Sequence, residues 1–205
     1  MIVCLEGVNG AGKTTLANSL ILLWTSGRAQ AIDPVQHTRY GTAIRTALMS
    51  AEKLSADAES LAFASSRMAT ASALKPQPLD LIVLERWAGA VVAYGTVAGT
   101  SPFLLRSLEA ALAGALPVDV TVLVDLPGAA AHERVTSLED TNRFETQGPR
   151  YLERVRRQYL AWASLRQVPV INGLRDQAAI VDQVADLINT RVAESDGGTS
   201  AKESA

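Results

Sequence analysis

The chain is short of cysteine, of net charge and of long apolar runs, and each shortage removes a class of function. Cys4 is the lone cysteine of 205 residues, so no internal disulfide can form, and its place in an apolar strand reads as a buried core thiol. A net charge of −2 gives no bulk attraction to nucleic acid or to an anionic membrane. No apolar run approaches the roughly 20 residues needed to span a bilayer. The longest candidate, 88–98, is short and interrupted by glycine. The apolar N-terminal segment is taken up by the first strand, so the expected compartment is the cytoplasm. No internal repeat is present. At 48% hydrophobic and 20% charged residues the composition is that of an ordinary globular protein. The length suits one α/β domain with a full core, expected over 1–192. Residues 193–205 lack apolar periodicity and are expected to form a disordered tail.

The informative residues begin at position 7. Gly7-Val8-Asn9-Gly10-Ala11-Gly12-Lys13-Thr14 is a complete phosphate-binding loop, set between an apolar strand over 2–5 and a helix over 14–26. Backbone N–H groups of such a loop and of the helix N-terminus point at one spot, where they hold the β- and γ-phosphates of a nucleotide. Lys13 adds positive charge to those phosphates, and the Thr14 hydroxyl is the expected Mg²⁺ ligand. Gly7, Asn9, Gly10, Ala11, Gly12, Lys13, Thr14 and Thr15 are therefore the expected contacts of ATP, the phosphoryl donor.

Strands and helices alternate along the rest of the chain, which implies a parallel sheet covered on both faces. Strands are expected at 2–5, 29–32, 81–84, 121–124 and 168–171, each a brief aliphatic run bounded by turn residues. Helices are expected at 14–26, 41–50, 56–74, 88–99, 102–113, 129–136, 149–165 and 177–191. The fold class is α/β: a three-layer P-loop kinase fold, with a five-stranded parallel sheet, helices on both faces and a short lid over about 136–148. Ligands gather at the carboxyl ends of such strands. Asp33, Glu85-Arg86-Trp87, Asp125 and Asn172-Gly173 all fall just there.

Five blocks in order resemble the thymidylate kinases, a family of P-loop nucleoside monophosphate kinases. Leu5 to Thr15 is similar to the family's phosphate loop. Leu54-Ser55 through Glu59, Leu61, Phe63-Ala64 and Arg67 resembles its base-binding helix. Leu81 to Trp87 with Ala93-Tyr94 resembles the strand ending in Asp-Arg-Tyr and the helix beyond. Pro117 to Asp125, with Ala131 and Glu133-Arg134, is similar to the strand and helix leading to the lid. Asn142-Arg143-Phe144-Glu145, with Tyr151 to Arg156 and Tyr159, resembles the lid and the following helix. Together they cover residues 2 to about 185.

The resemblance implies transfer of the ATP γ-phosphoryl group to dTMP, with Mg²⁺, by a homodimer. It makes Lys13, Arg86, Glu85 and Arg143 catalytic. Arg86 would hold the acceptor phosphate, Glu85 would reach the metal through water, and Arg143 of the polar lid would bring charge to the donor. Arg134 and Asn172 join the ATP contacts, Asn172 as an edge for the purine. Acceptor contacts are Asn9, Asp33, Arg39, Tyr40, Phe63, Arg67, Arg86 and Tyr94, with Arg45 as an alternative to Arg39. Phe63 and Arg67, four residues apart, share a helix face, so a ring can stack on the base while a guanidinium meets its carbonyl.

Three departures bear on the acceptor. Asn9 and Glu85 each replace an Asp, and Ala90 and Val91 replace polar residues that touch the base. Loss of a buried polar partner costs about 1–3 kcal/mol, which loosens selection of thymine. Glu85-Arg86 and Asp33-Pro34-Val35 also look like deoxynucleoside kinases, in which Asp33 would be a general base for a 5′-hydroxyl. A deoxynucleoside kinase, a specialised small-molecule kinase and a non-catalytic nucleotide-binding protein are the alternatives.

Overall fold

The computed structural model of the chain describes residues 1–50, 54–74, 78–136 and 147–200, the last six of these by backbone alone. β1 (Ile2–Glu6) leads through the phosphate loop to α1 (Lys13–Leu23), and β2 (Ala29–Ile32) leads to α2 (Arg39–Met49) and α3 (Ala56–Leu74). β3 (Leu81–Glu85) is followed by α4 (Ala88–Ala98) and α5 (Pro102–Ala115). β4 (Val120–Asp125) is followed by α6 (Gly128–Thr136) and α7 (Pro149–Arg166), and β5 (Val170–Asn172) by α8 (Gln177–Ser200). The strands form one parallel sheet in the order β2-β3-β1-β4-β5.

Parallel strands joined by helices leave no face of the sheet to water, and β1 shows it. Val3 and Leu5 are fully buried in a core shared with Leu16, Ala17 and Leu20 of α1 and Ile180 and Val184 of α8. Cys4 belongs to a second core with Ile82 and Leu84 of β3, Ala64 and Ala71 of α3, and Leu112 of α5. Successive side chains of a strand alternate in direction, so one strand feeds both cores. Glu6, on the Cys4 parity, is also fully buried.

Several boundaries differ from the expected ones for local reasons. α2 begins at Arg39 rather than 41, because Thr38 caps it: the Thr38 Oγ1 accepts the Gly41 N–H at 3.0 Å. β5 begins at Val170 rather than 168, since Pro169 has no N–H to donate to the sheet. α1 ends at Leu23, with Trp24 already extended. α8 continues to Ser200, past the start of the expected tail at 193, because extending an existing helix is far easier than starting one.

The fold brings the carboxyl ends of all five strands to one edge. β2 pairs with β3 and β3 with β1, so Asp33, Glu85-Arg86 and the phosphate loop are neighbours there. A buried bond from the Thr70 Oγ1 to the Pro34 carbonyl at 2.7 Å ties α3 to the turn after β2.

Candidate active site

The phosphate loop leaves β1 and enters α1 with a backbone only glycine adopts readily. Gly10 and Gly12 have φ of +81° and +84°. A Cβ on Gly10 would lie 2.5 Å from the Ala131 carbonyl oxygen, so a side chain here would force the loop or α6 to shift. Lys13 opens α1, is 4% exposed and donates from Nζ to the Val8 carbonyl at 2.7 Å. Burial first, and then the nearby Arg86, push its ammonium well below the ordinary lysine range, against opposing pulls from Glu85, Glu6 and Asp33. An anion at the loop would offset both effects by attraction and restore the charged form. The Thr14 Oγ1 donates to the Glu85 Oε2 at 2.6 Å, joining the start of α1 to the end of β3.

Arg86 follows β3 in the left-handed region, with φ of +70°. For a residue with a Cβ this conformation costs about 1–2 kcal/mol, so the surroundings must enforce it. Its N–H is held by the Leu5 carbonyl at 3.0 Å. Its guanidinium reaches back to the loop, Nη2 donating to the Asn9 Oδ1 at 2.5 Å, and the Tyr94 hydroxyl donates to the same oxygen at 2.9 Å. Asn9, neutral where the resembling family carries Asp, still serves as the common acceptor for both.

Asn9, Glu85, Arg86 and Tyr94 open onto a cleft beside the loop. Asn9, Glu85 and Arg86 form one end. Phe63, Arg67 and Glu59 of α3 form a wall, Ala90, Val91 and Tyr94 of α4 another, and Asp33, Arg45 and Tyr151 complete the rim. Arg67 is 4% exposed, and its Nη1 donates to the Phe63 backbone carbonyl at 3.0 Å, which restrains the guanidinium. Asp33 accepts the Val35 N–H at 2.9 Å and the Gln36 side-chain amide at 2.6 Å, so both of its oxygens shape the turn after β2.

Not every expected residue reaches this cleft. Arg39 and Tyr40 lie outside its lining; both are exposed, and the Tyr40 hydroxyl meets the Ser65 Oγ at 3.1 Å. Arg45, on another face of the same helix, lines it instead. Arg134 lies across the phosphate loop, donating to the Gly173 carbonyl at 3.2 Å and approaching the Gly10 carbonyl at 3.5 Å. Asn172 is exposed at the end of β5, and its Oδ1 accepts the Leu174 N–H at 2.9 Å. Arg143, with most of the expected lid, lies outside the described residues.

Two features went unsingled in the sequence. Arg156 of α7 grips Asp125 at the end of β4 through two bonds of 2.7 and 2.9 Å and adds Glu153 at 3.1 Å, while Glu153 also accepts the Gly128 N–H. This fastens α6 and α7 together at the strand edge. The other is Glu6, whose carboxylate lies under the Arg86 turn. Its signal was legible: a charged residue ending an apolar strand on a core-facing parity.

With this geometry in hand, comparison with known proteins is unambiguous. A model of the family described as "Thymidylate kinase" matches residues 5–184. Relatives named thymidylate kinase include one from Desulforudis audaxviator (strain MP104C), 32% identical over 173 residues, or 80% of this chain and 78% of the relative. Another, from Xanthomonas oryzae pv. oryzae (strain PXO99A), is 31% identical over 217 aligned positions, covering 99% and 92%. A third, from Cupriavidus necator, is 29% identical over 203, covering 92% and 97%. The chain belongs to the thymidylate kinase family and is an ATP-dependent phosphotransferase.

Proposed function

We propose that the enzyme transfers the γ-phosphoryl group of ATP to dTMP, giving dTDP and ADP. The observation that carries this reading is the cleft that runs from Asn9 of the phosphate loop, past Glu85 and Arg86, to a wall bearing Phe63 and Arg67. Such a cleft holds a second anion beside the first and a flat base beyond it. Phosphoryl transfer asks the protein mainly for alignment and for positive charge around the moving group.

In this reading the loop N–H groups and Lys13 hold the donor phosphates, and Arg86 receives the acceptor phosphate in the planar fork of its guanidinium. Arg45 is better placed than Arg39 to assist it. Phe63 stacks on the base, Arg67 donates to a base carbonyl, and Tyr94, held by Asn9, packs under the sugar. Arg134 and Asn172 border the nucleoside of ATP, and Arg143 supplies charge from the lid. The Thr14 hydroxyl and the Glu85 carboxylate are hard oxygen donors already adjacent, which suits magnesium, with Thr14 as ligand and Glu85 acting through water. When bound, the ion neutralises charge on the β- and γ-phosphates. Among the described residues no cluster of three His, Cys, Asp or Glu side chains competes as a metal centre.

The deoxynucleoside alternative assigns Asp33 as a base, yet both Asp33 oxygens are engaged in its own turn. A monophosphate acceptor, already ionised, needs no base. No described helix is long and apolar enough to cross a membrane, and a cytoplasmic enzyme is part of the same reading. So is pairing as a homodimer, to which Leu61 of α3, 48% exposed, is a candidate contributor. ADP release measured with ATP, Mg²⁺ and a panel of nucleosides and monophosphates tests the proposal. Turnover with dTMP supports it; turnover confined to nucleosides transfers the assignment to the alternative.

A further inference from the structure

The turn that presents Arg86 is pinned from below by a group with no place in the reading above. Arg86 and Trp87 hold their consecutive backbone N–H groups against β1. The Leu5 carbonyl takes the first at 3.0 Å, and the Glu6 Oε1 takes the second at 2.8 Å. A backbone carbonyl is available at any strand residue. A carboxylate at this depth is not, because burying it costs solvation. Burial accordingly pushes the Glu6 carboxyl up, opposed by the Trp87 and Ala90 N–H groups and by the charges of Arg67 and Arg86.

Space has been made for it. Gly89, in the first turn of α4, lies so close that a Cβ there would fall 2.9 Å from the Glu6 Oε1 and 2.8 Å from the Trp162 ring. The carboxylate thus occupies the N-terminal end of α4, where backbone N–H groups favour negative charge. Trp87 is itself anchored on its far side, its Nε1 donating to the Leu112 carbonyl at 3.2 Å. With Trp87 fixed at both ends and Arg86 tied to Leu5, the backbone between them has little choice but the left-handed turn.

We propose that Glu6 is a positioning residue for phosphoryl transfer: by accepting the Trp87 N–H it holds Arg86 in the left-handed conformation that aims its guanidinium at Asn9 and the cleft. The inference rests on the assignment of Arg86 to the acceptor phosphate. Glu6 touches neither substrate and acts only through the turn. The hydrogen bond, rather than the charge, carries the effect.

Glu6→Gln keeps an acceptor at Oε1, whereas Glu6→Asp keeps the charge but withdraws it by one methylene. A misplacement of about 1 Å can cost about 100-fold in rate, so Glu6→Asp is expected to lose 30-fold or more, roughly, in kcat/KM for the acceptor. Its KM for ATP stays within about threefold, and Glu6→Gln stays within about fivefold of the parent in both, since its geometry is kept. Crystals of Glu6→Asp should show Arg86 departing from its φ of +70°. Gly89→Ala, which intrudes on the carboxylate, should give the same acceptor-selective loss and the same displacement, and serves if Glu6→Asp does not fold. Retention of the Arg86 conformation in the variant that folds, or equal damage to ATP and acceptor kinetics, overturns the inference. So does a Gln variant as impaired as the Asp variant. Failure of the parent enzyme to phosphorylate any monophosphate would instead remove the proposed function, while the Arg86 conformation would still be read directly from the crystals.

Discussion

Thr14 and Glu85 meet at the floor of the site, the threonine Oγ1 donating to the glutamate Oε2 at 2.6 Å across a sequence separation of 71 residues. The bond places the two oxygens side by side at the start of α1. Glu85→Gln keeps the size but removes the charge that orders a metal's water. The half-saturating Mg²⁺ concentration is expected to rise about tenfold, as for other groups that support a metal indirectly. An unchanged Mg²⁺ dependence would detach Glu85 from the metal.

Arg86→Lys retains one positive charge and loses the fork. Lysine cannot reproduce both the contact to Asn9 and a two-point grip on phosphate. Acceptor kcat/KM should fall about 100-fold, with KM for ATP little changed. A fall shared equally by both substrates would make Arg86 a general structural residue.

Phe63 is half-buried, and its backbone carbonyl accepts a bond from Arg67. Stacking of a base on an aromatic ring is worth about 1–3 kcal/mol, so Phe63→Ala should raise the acceptor KM by about tenfold. KM for ATP should not follow. If thermal stability drops sharply while both KM values hold, Phe63 belongs to the core and not to the acceptor.

Glu109 of α5 accepts two bonds from Arg166, at 2.9 and 2.8 Å, and one from the Trp162 Nε1 at 2.8 Å. Burial opposes its ionisation, but these bonds outweigh burial and hold the carboxyl below its usual range. A folded-state value below the unfolded one contributes stability above the unfolded pKa, and that stability disappears as pH falls through the folded value. Glu109→Gln should therefore lower Tm at neutral pH, and the gap from the parent should close as pH falls through the folded-state value, below the ordinary carboxylate range. A gap independent of pH would mean that the glutamate acts by packing alone.

Much of the architecture could be read from local pattern. The third helix spans 56–74 as expected, because its small and apolar residues recur at helical spacing between clear breaks. The last strand was expected too early because its aliphatic run was read through Pro169, although a proline, having no N–H, marks where the strand can begin rather than its interior. The phosphate loop was legible because its function lies in contiguous backbone. Residues gathered from separate elements were harder. Arg39 and Arg45 differ by six positions and so face different sides of α2; which side meets the cleft depends on the Thr38 cap and on packing against α3. Glu6 was visible as a residue but not as a partner, because what it holds lies 81 residues away.

The most direct measurement follows the γ-phosphoryl group itself. The enzyme is incubated with γ-labelled ATP, Mg²⁺ and dTMP, and the products are separated. Label should appear in dTDP, and Lys13→Ala, folded by circular dichroism, should abolish that transfer. Label that stays in ATP, or enters only inorganic phosphate or a nucleoside, would contradict the assignment of this cleft to dTMP.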